Sequence, residues 1–172
     1  MRACLVAASM VSTILLSACG VGQSLGTSTA NAAKWAFTTQ VKTLRVDLVS
    51  RAAINPDAAG QPLSTVIRLY QLKTPNTFEK LSYAQLQTDD MALLKGDMLD
   101  IANVVLRPGT SESVTEPMHP EASYVGVAAF FRDVDHTAVW KMVLPKSDWK
   151  KRGPVTLEVQ GSQLRVMTEP TS

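Results

Sequence analysis

The sequence predicts an all-β fold: an antiparallel β-sandwich of about eight strands with a small helical insertion. Two observations carry the strand assignment. Apolar residues recur at period two, as in Leu44-Arg45-Val46-Asp47-Leu48 and Val155-Thr156-Leu157-Glu158-Val159, which is the spacing of half-buried strands. Turn chemistry punctuates these runs at Asn55-Pro56-Asp57, Pro108-Gly109, Asp133-Val134-Asp135-His136 and Gly161-Ser162, where Gly, Pro, Asn and Asp each favour a reversal. The third observation is that only one stretch, from about 75 to 96, changes to helical spacing.

In chain order, residues 1–18 come first. A cationic Arg2 precedes an apolar run from Cys4 to Leu16, and Ser17 and Ala18 are small, a pattern that describes a secretory signal. The run is too short for a membrane span, which takes about 20 apolar residues. Leu16-Ser17-Ala18-Cys19 resembles the lipobox of bacterial lipoproteins. There the small residues enter a peptidase groove, and the thiolate accepts lipid and becomes the mature N-terminus. Cys19 is the expected lipidation site, and that covalent lipid is the only cofactor expected. Residues 19–40 form the lipidated N-terminus and tether: Gly20 to Ala33 is small, polar and aperiodic, as flexible linkers are. Trp35 and Phe37 mark the point where the tether meets the domain, which spans 41–168 and leaves 169–172 as a tail. The absence of aspartate at Gly20 favours, by analogy, export to the outer membrane.

The first strand starts near Val41. The stretch that follows, Ala53, Ile54, Asn55, Pro56, Asp57, Ala58, Ala59, Gly60, Gln61 and Pro62, is longer than a hairpin requires, and long loops on rigid scaffolds often carry function. The second strand is Val66 to Leu72. Thr74 then offers a cap with Pro75 at the first helical position. Ser82-Tyr83-Ala84-Gln85 reads as a capping box, with Lys95-Gly96 as the stop. Ile101 to Arg107 ends at a type II turn signal, Pro108-Gly109, and Thr110 to Glu116 is expected to pair back. Tyr124 to Phe131 is apolar throughout, which places it centrally in a sheet. Val139 to Leu144 follows, and a closing hairpin runs from Val155 to Met167.

Removing the signal leaves 154 of 172 residues, enough for one domain that buries about two thirds of its unfolded surface. Of the two cysteines, Cys4 leaves with the signal and Cys19 takes lipid, so no internal disulfide is available. The formal charge of +2 includes Arg2; a near-neutral mature chain argues against nucleic acid, which calls for a clustered basic face. The basic run Lys146, Lys150, Lys151, Arg152 reads as a solvated loop or as a contact with anionic lipid or another acidic surface.

The residues offer little catalytic chemistry. Asp133, Asp135 and His136, with His119 and Glu121 further off, satisfy neither zinc spacing nor a calcium loop, and read as a polar turn. No Gly-x-Ser-x-Gly elbow occurs. Gly20-Val21-Gly22 lies in the tether, and Asp89-Asp90 are neighbours that do not face each other on a helix. No metal site is expected.

Taken together, the strand sequences resemble the TssJ (SciN) family. The resemblance rests on Val66-Ile67-Arg68-Leu69-Tyr70-Gln71-Leu72-Lys73 with Phe78, Val105-Leu106-Arg107-Pro108-Gly109, Tyr124 through Asp133, Trp140-Lys141 and the Val155-to-Val166 hairpin. The lipobox sits where that family has it. The resemblance implies a transthyretin-like sandwich on an outer-membrane lipoprotein of the type VI secretion system, held in the inner leaflet by lipid and facing the periplasm. It implies no enzymatic activity. The implied partner is the periplasmic domain of TssM, and through it TssL, engaged by the loop between the first two strands, residues 53–62 here. A periplasmic small-ligand binder or hydrolase on the same sandwich, built around His119 or His136, is the alternative.

Overall fold

The computed structural model describes residues 40–150 and 153–167. The signal, Cys19, the tether with Trp35 and Phe37, Lys151, Arg152 and the tail lie outside the described residues. Eight strands are found among those described: β1 (Thr43–Ile54), β2 (Thr65–Leu72), β3 (Met98–Leu106), β4 (Ser111–Pro117), β5 (Tyr124–Phe130), β6 (Lys141–Pro145), β7 (Val155–Gly161) and β8 (Gln163–Val166). They form two four-stranded sheets, ordered β4-β1-β7-β8 and β3-β2-β5-β6. Leu44, Val46 and Leu48 of β1 and Leu157 and Val159 of β7 meet Ile67, Leu69, Val125 and Val127 of the other sheet in one buried core. The period-two pattern thus places one face of each strand inward, as expected.

Three expectations are corrected. The sheets are not wholly antiparallel, because β1 and β7 run parallel, from Val46↔Val155 to Ser50↔Val159. The segment after Pro108-Gly109 does not pair back on β3. It crosses to the other sheet and pairs with β1, Val46 opposite Val114. The turn itself has the expected geometry, Gly109 lying at φ 69°, but it is tied to the end of β1. Gly109 N–H donates to the Arg51 carbonyl (3.2 Å), and Thr110 N–H donates to Ser50 Oγ (3.0 Å). These bonds hold the chain as an arch between sheets.

The helical insertion is three short pieces: α1 (Asn76–Lys80), α2 (Tyr83–Thr88) and α3 (Asp90–Leu93). The capping box is present, Ser82 N–H donating to Gln85 Oε1 (2.9 Å) and Gln85 N–H to Ser82 Oγ (3.3 Å). Thr74, the third correction, is not a cap. Pro75 itself occupies the N-cap position, and the Thr74 hydroxyl donates to Asp97 (3.0 Å). The insertion breaks after α1 because Leu81 is extended (ψ 136°). Lys141 Nζ donates to the carbonyls freed there, those of Phe78 (3.2 Å), Glu79 (2.7 Å) and Leu81 (2.6 Å), groups that a helix end leaves without partners. Phe78, Leu81, Leu86 and Leu94 pack on Tyr70, Leu72 and Ala128 as a second cluster, covering the outer face of the β2–β5 sheet. Asp90 fastens the insertion down by accepting from the Tyr70 hydroxyl (2.8 Å) and Arg68 (2.8 Å). β5 lies between β2 and β6, central as expected.

Candidate functional site

The long connection after β1 is a shaped element. Ala53 and Ile54 are the last residues of β1, so the loop proper begins at Asn55. Ile54 is fully buried and Asn55 is 4% exposed, so neither side chain is presented to a partner. Asn55 adopts the left-handed conformation, φ 46°, which asparagine tolerates better than other residues with a Cβ. From there it ties three segments together. Its N–H donates to the Gly161 carbonyl (2.9 Å). Its Nδ2 donates to the Ser64 carbonyl (2.8 Å), and its Oδ1 accepts from Arg132 N–H (2.6 Å).

The rest of the loop is exposed and folded on itself. Asp57 Oδ1 accepts from Ala59 N–H and Gln61 N–H, both at 2.9 Å. Asp57 also exchanges backbone bonds, its N–H donating to the Gln61 carbonyl and its carbonyl accepting from Gly60 N–H. Gly60 sits at φ 77° in open space, a conformation that costs a Cβ-bearing residue about 1–2 kcal/mol. Pro56, Ala58, Ala59, Gly60, Gln61 and Pro62 face solvent, with Asp57 half-buried.

Asn55 places this loop beside the β5–β6 connection and the β7–β8 turn. Between them lies an open groove of about 510 Å³, lined by Pro56, Asp57, Asp133, Asp135, Gln163 and Arg165 among others. Three carboxylates face one guanidinium. Asp135 is held below the usual carboxylate range, chiefly by the Thr137 hydroxyl and then by Thr137 N–H, each 2.7 Å from Oδ1. This end of the sandwich is therefore a preformed, mainly acidic rim, suited to recognition of a polar partner surface.

The Asp133-Asp135-His136 cluster is a turn in which Asp135 caps the following backbone. Among the described residues, no group of three or more His, Cys, Asp or Glu is arranged to hold a metal ion. His119 lies before β5 and His136 after it, at opposite ends of the strand. His119 Nδ1 accepts from Glu121 N–H (3.2 Å). The basic run is split: Lys146 Nζ donates to the His119 and Pro120 carbonyls (3.0 and 3.1 Å), and burial pushes its pKa down. Sequence reasoning found the β1–β2 loop but not its two neighbours. Short turn motifs look alike until the pairing of β1 with β7 and of β2 with β5 brings them to one end.

A family model described as the type VI secretion lipoprotein VasD, EvfM and TssJ matches residues 42–163. The chain belongs to this family of type VI secretion lipoproteins. No curated protein matches it. Among solved structures, a chain in one described as "Type VI membrane complex" is 39% identical with a TM-score of 0.71, covering 75% of this chain and 100% of that one. A chain in a structure described as the T6SS protein TssM C-terminal domain from EAEC is 37% identical, TM-score 0.65, covering 74% and 99%. The T6SS lipoprotein TssJ1 from Pseudomonas aeruginosa, at 24% identity and TM-score 0.66 over 77% and 100%, shares the fold. The expected all-β family sandwich is thus the observed one, with β1 and β7 the one parallel pair of strands among the described residues. No helix among the described residues is long and apolar enough to cross a membrane.

Proposed function

We propose that this family member is a non-catalytic anchor. Lipid on Cys19 holds it in the inner leaflet of the outer membrane, and the loop end of its sandwich docks the periplasmic domain of TssM, tying TssM, and through it TssL, to that membrane. The observation that carries this reading is that a chain of the same fold, 37% identical, occurs in a structure described as that of the TssM C-terminal domain. The shape of the β1–β2 loop supports it. Internal hydrogen bonds from Asp57 and the clamp at Asn55 order the loop before any partner arrives, which lowers the cost of binding. Pro56 through Pro62 are the contacting residues in this proposal, while Ile54 and Asn55 support them from beneath. The enzyme alternative finds less support: His119 Nδ1 accepts from Glu121 N–H, and the Asp135 beside His136 is engaged by the Thr137 N–H and hydroxyl.

Cys19→Ser tests the anchor. The variant should fold and capture TssM but leave the membrane fraction and fail to support secretion. If it still fractionates with the outer membrane and secretion persists, lipid attachment at Cys19 is not the anchor.

A further inference from the structure

We propose that the free edge of β3 pairs with β3 of a second copy of this chain, joining two four-stranded sheets into one across a two-fold axis at Asn103. Four strand edges terminate the two sheets, and three of them are obstructed. β4 carries Glu112 and Glu116 and ends on Pro117. β6 has five residues between Lys141 and Pro145. β8 has four residues, and Val139 lies along it, bonded to Ser162 and Leu164. Such charges, prolines and coverings are how sheets avoid edge pairing. β3 has nine residues, and from Ile101 to Leu106 it contains no charge and no proline.

The register shows which backbone groups are available. Ala129 N–H donates to Trp140 on the β6 side, so the groups of Phe130, Ala128 and Gly126 point to β2, opposite Val66, Arg68 and Tyr70. Alternation then turns the groups of Thr65, Ile67, Leu69 and Gln71 towards β3, where they meet Leu106, Val104, Ala102 and Asp100. The N–H and C=O groups of Ile101, Asn103 and Val105 therefore point outward. Ile101 N–H donates to the exposed Asp100 carboxylate (2.8 Å), an acceptor that the Val105 carbonyl of the second copy replaces in this pairing. Asn103 and Val105 face Arg68 and Val66 of β2 in register, but among the described residues no hydrogen bond reaches their outward N–H and C=O groups, and Val105 is 55% exposed.

Self-complementarity selects a second copy as the occupant. An antiparallel pairing centred on Asn103 sets Ile101 against Val105 of the second copy, Asn103 against its counterpart, and Ala102 against Val104 of the second copy. Apolar side chains meet apolar ones, two amides meet each other, and no like charges fall opposite. Centring on Ala102 or Val104 instead sets Asn103 against Ile101 or Val105. The interface is isologous, so the same short segment supplies both sides, and the mode is strand addition to an open edge.

Paired residues that share both hydrogen bonds have Cα atoms about 5.5 Å apart, inside the range of about 4.4–6.8 Å that a disulfide spans. The test is Asn103→Cys in the full-length chain, oxidised in intact cells and analysed by peptide mapping; the parent chain controls for Cys4 and Cys19. A homodimer linked through position 103 is expected. It should fall at least tenfold when Val105→Lys is added, at an exposed site where lysine leaves the fold intact, and should not form from Ser113→Cys on the β4 edge. Absence of the 103–103 link overturns the proposal, as does a yield unchanged by Val105→Lys. A disulfide from the introduced cysteine to another protein assigns the edge to a different strand and equally overturns it.

Discussion

Replacing Asn55 by alanine should destabilise the domain by about 3 kcal/mol, although the residue is buried and touches no partner in this account. Two side-chain hydrogen bonds disappear, to Ser64 at 2.8 Å and from Arg132 at 2.6 Å, each worth about 1 kcal/mol net when its partner lies partly buried. Alanine must also occupy φ 46°, which adds about 1 kcal/mol relative to asparagine. For a domain of this size each kcal/mol moves the melting temperature by about 4 °C, so the midpoint should drop by about 12 °C. Urea unfolding followed by tryptophan fluorescence reads this directly, because Trp149 is buried with its Nε1 donating to the Arg45 carbonyl (2.7 Å). TssM capture should weaken as well, since a loosened loop must be ordered on binding. Stability within about 1 kcal/mol of the parent would refute the role of Asn55 as the clamp of the three connections, since the two lost hydrogen bonds alone should cost more.

Other consequences follow from the second cluster. A Cβ at Gly126 would lie 3.0 Å from the Phe78 ring and 3.1 Å from Leu72, so Gly126→Ala should cost about 1–3 kcal/mol by overpacking, with α1 displaced; calorimetry checks it, and a neutral result would mean that α1 yields freely. The Tyr70 hydroxyl is held above its ordinary pKa of 10.0 by burial and by its bond to Asp90. The unfolded chain therefore ionises this tyrosine first, so the stabilisation is fully present below about pH 10 and declines as pH rises further. Tyr70→Phe should flatten that alkaline decline in stability measured against pH, and an unchanged slope would assign the decline to other groups.

The strands were legible because their period-two pattern coincides with burial: Leu44, Val46 and Leu48 face the core while Arg45 lies exposed. The capping box at Ser82 was equally local and equally readable. Pairing was not. Pro108-Gly109 specifies a reversal of the chain, but whether the next strand returns to β3 or crosses to β1 depends on Ser50, a partner 60 residues away in sequence. The parallel β1–β7 pair is likewise a long-range choice that alternation cannot encode. At the loop, excess length was visible in the sequence. The division of labour was not: Ile54 and Asn55 are interior and Pro56 to Pro62 form the outer rim, because a buried asparagine and an exposed one read identically until the fold surrounds it. The acidic neighbours Asp133 and Asp135 reached the same end of the sandwich only through sheet topology.

The measurement that tests the central claim most directly is capture of the TssM periplasmic domain by the full chain and by a variant with residues 56–62 replaced by Gly-Ser of equal length. Asn55 and Leu63 are retained in the variant, so that the bonds from Asn55 to Ser64 and Arg132 and from Leu63 to Ile54 keep the fold closed. The account predicts capture by the native chain and its loss in the variant, with unfolding midpoints that agree within a few degrees. Equal capture by both, with both folded, would place the TssM contact elsewhere on the sandwich and contradict the assignment of this loop.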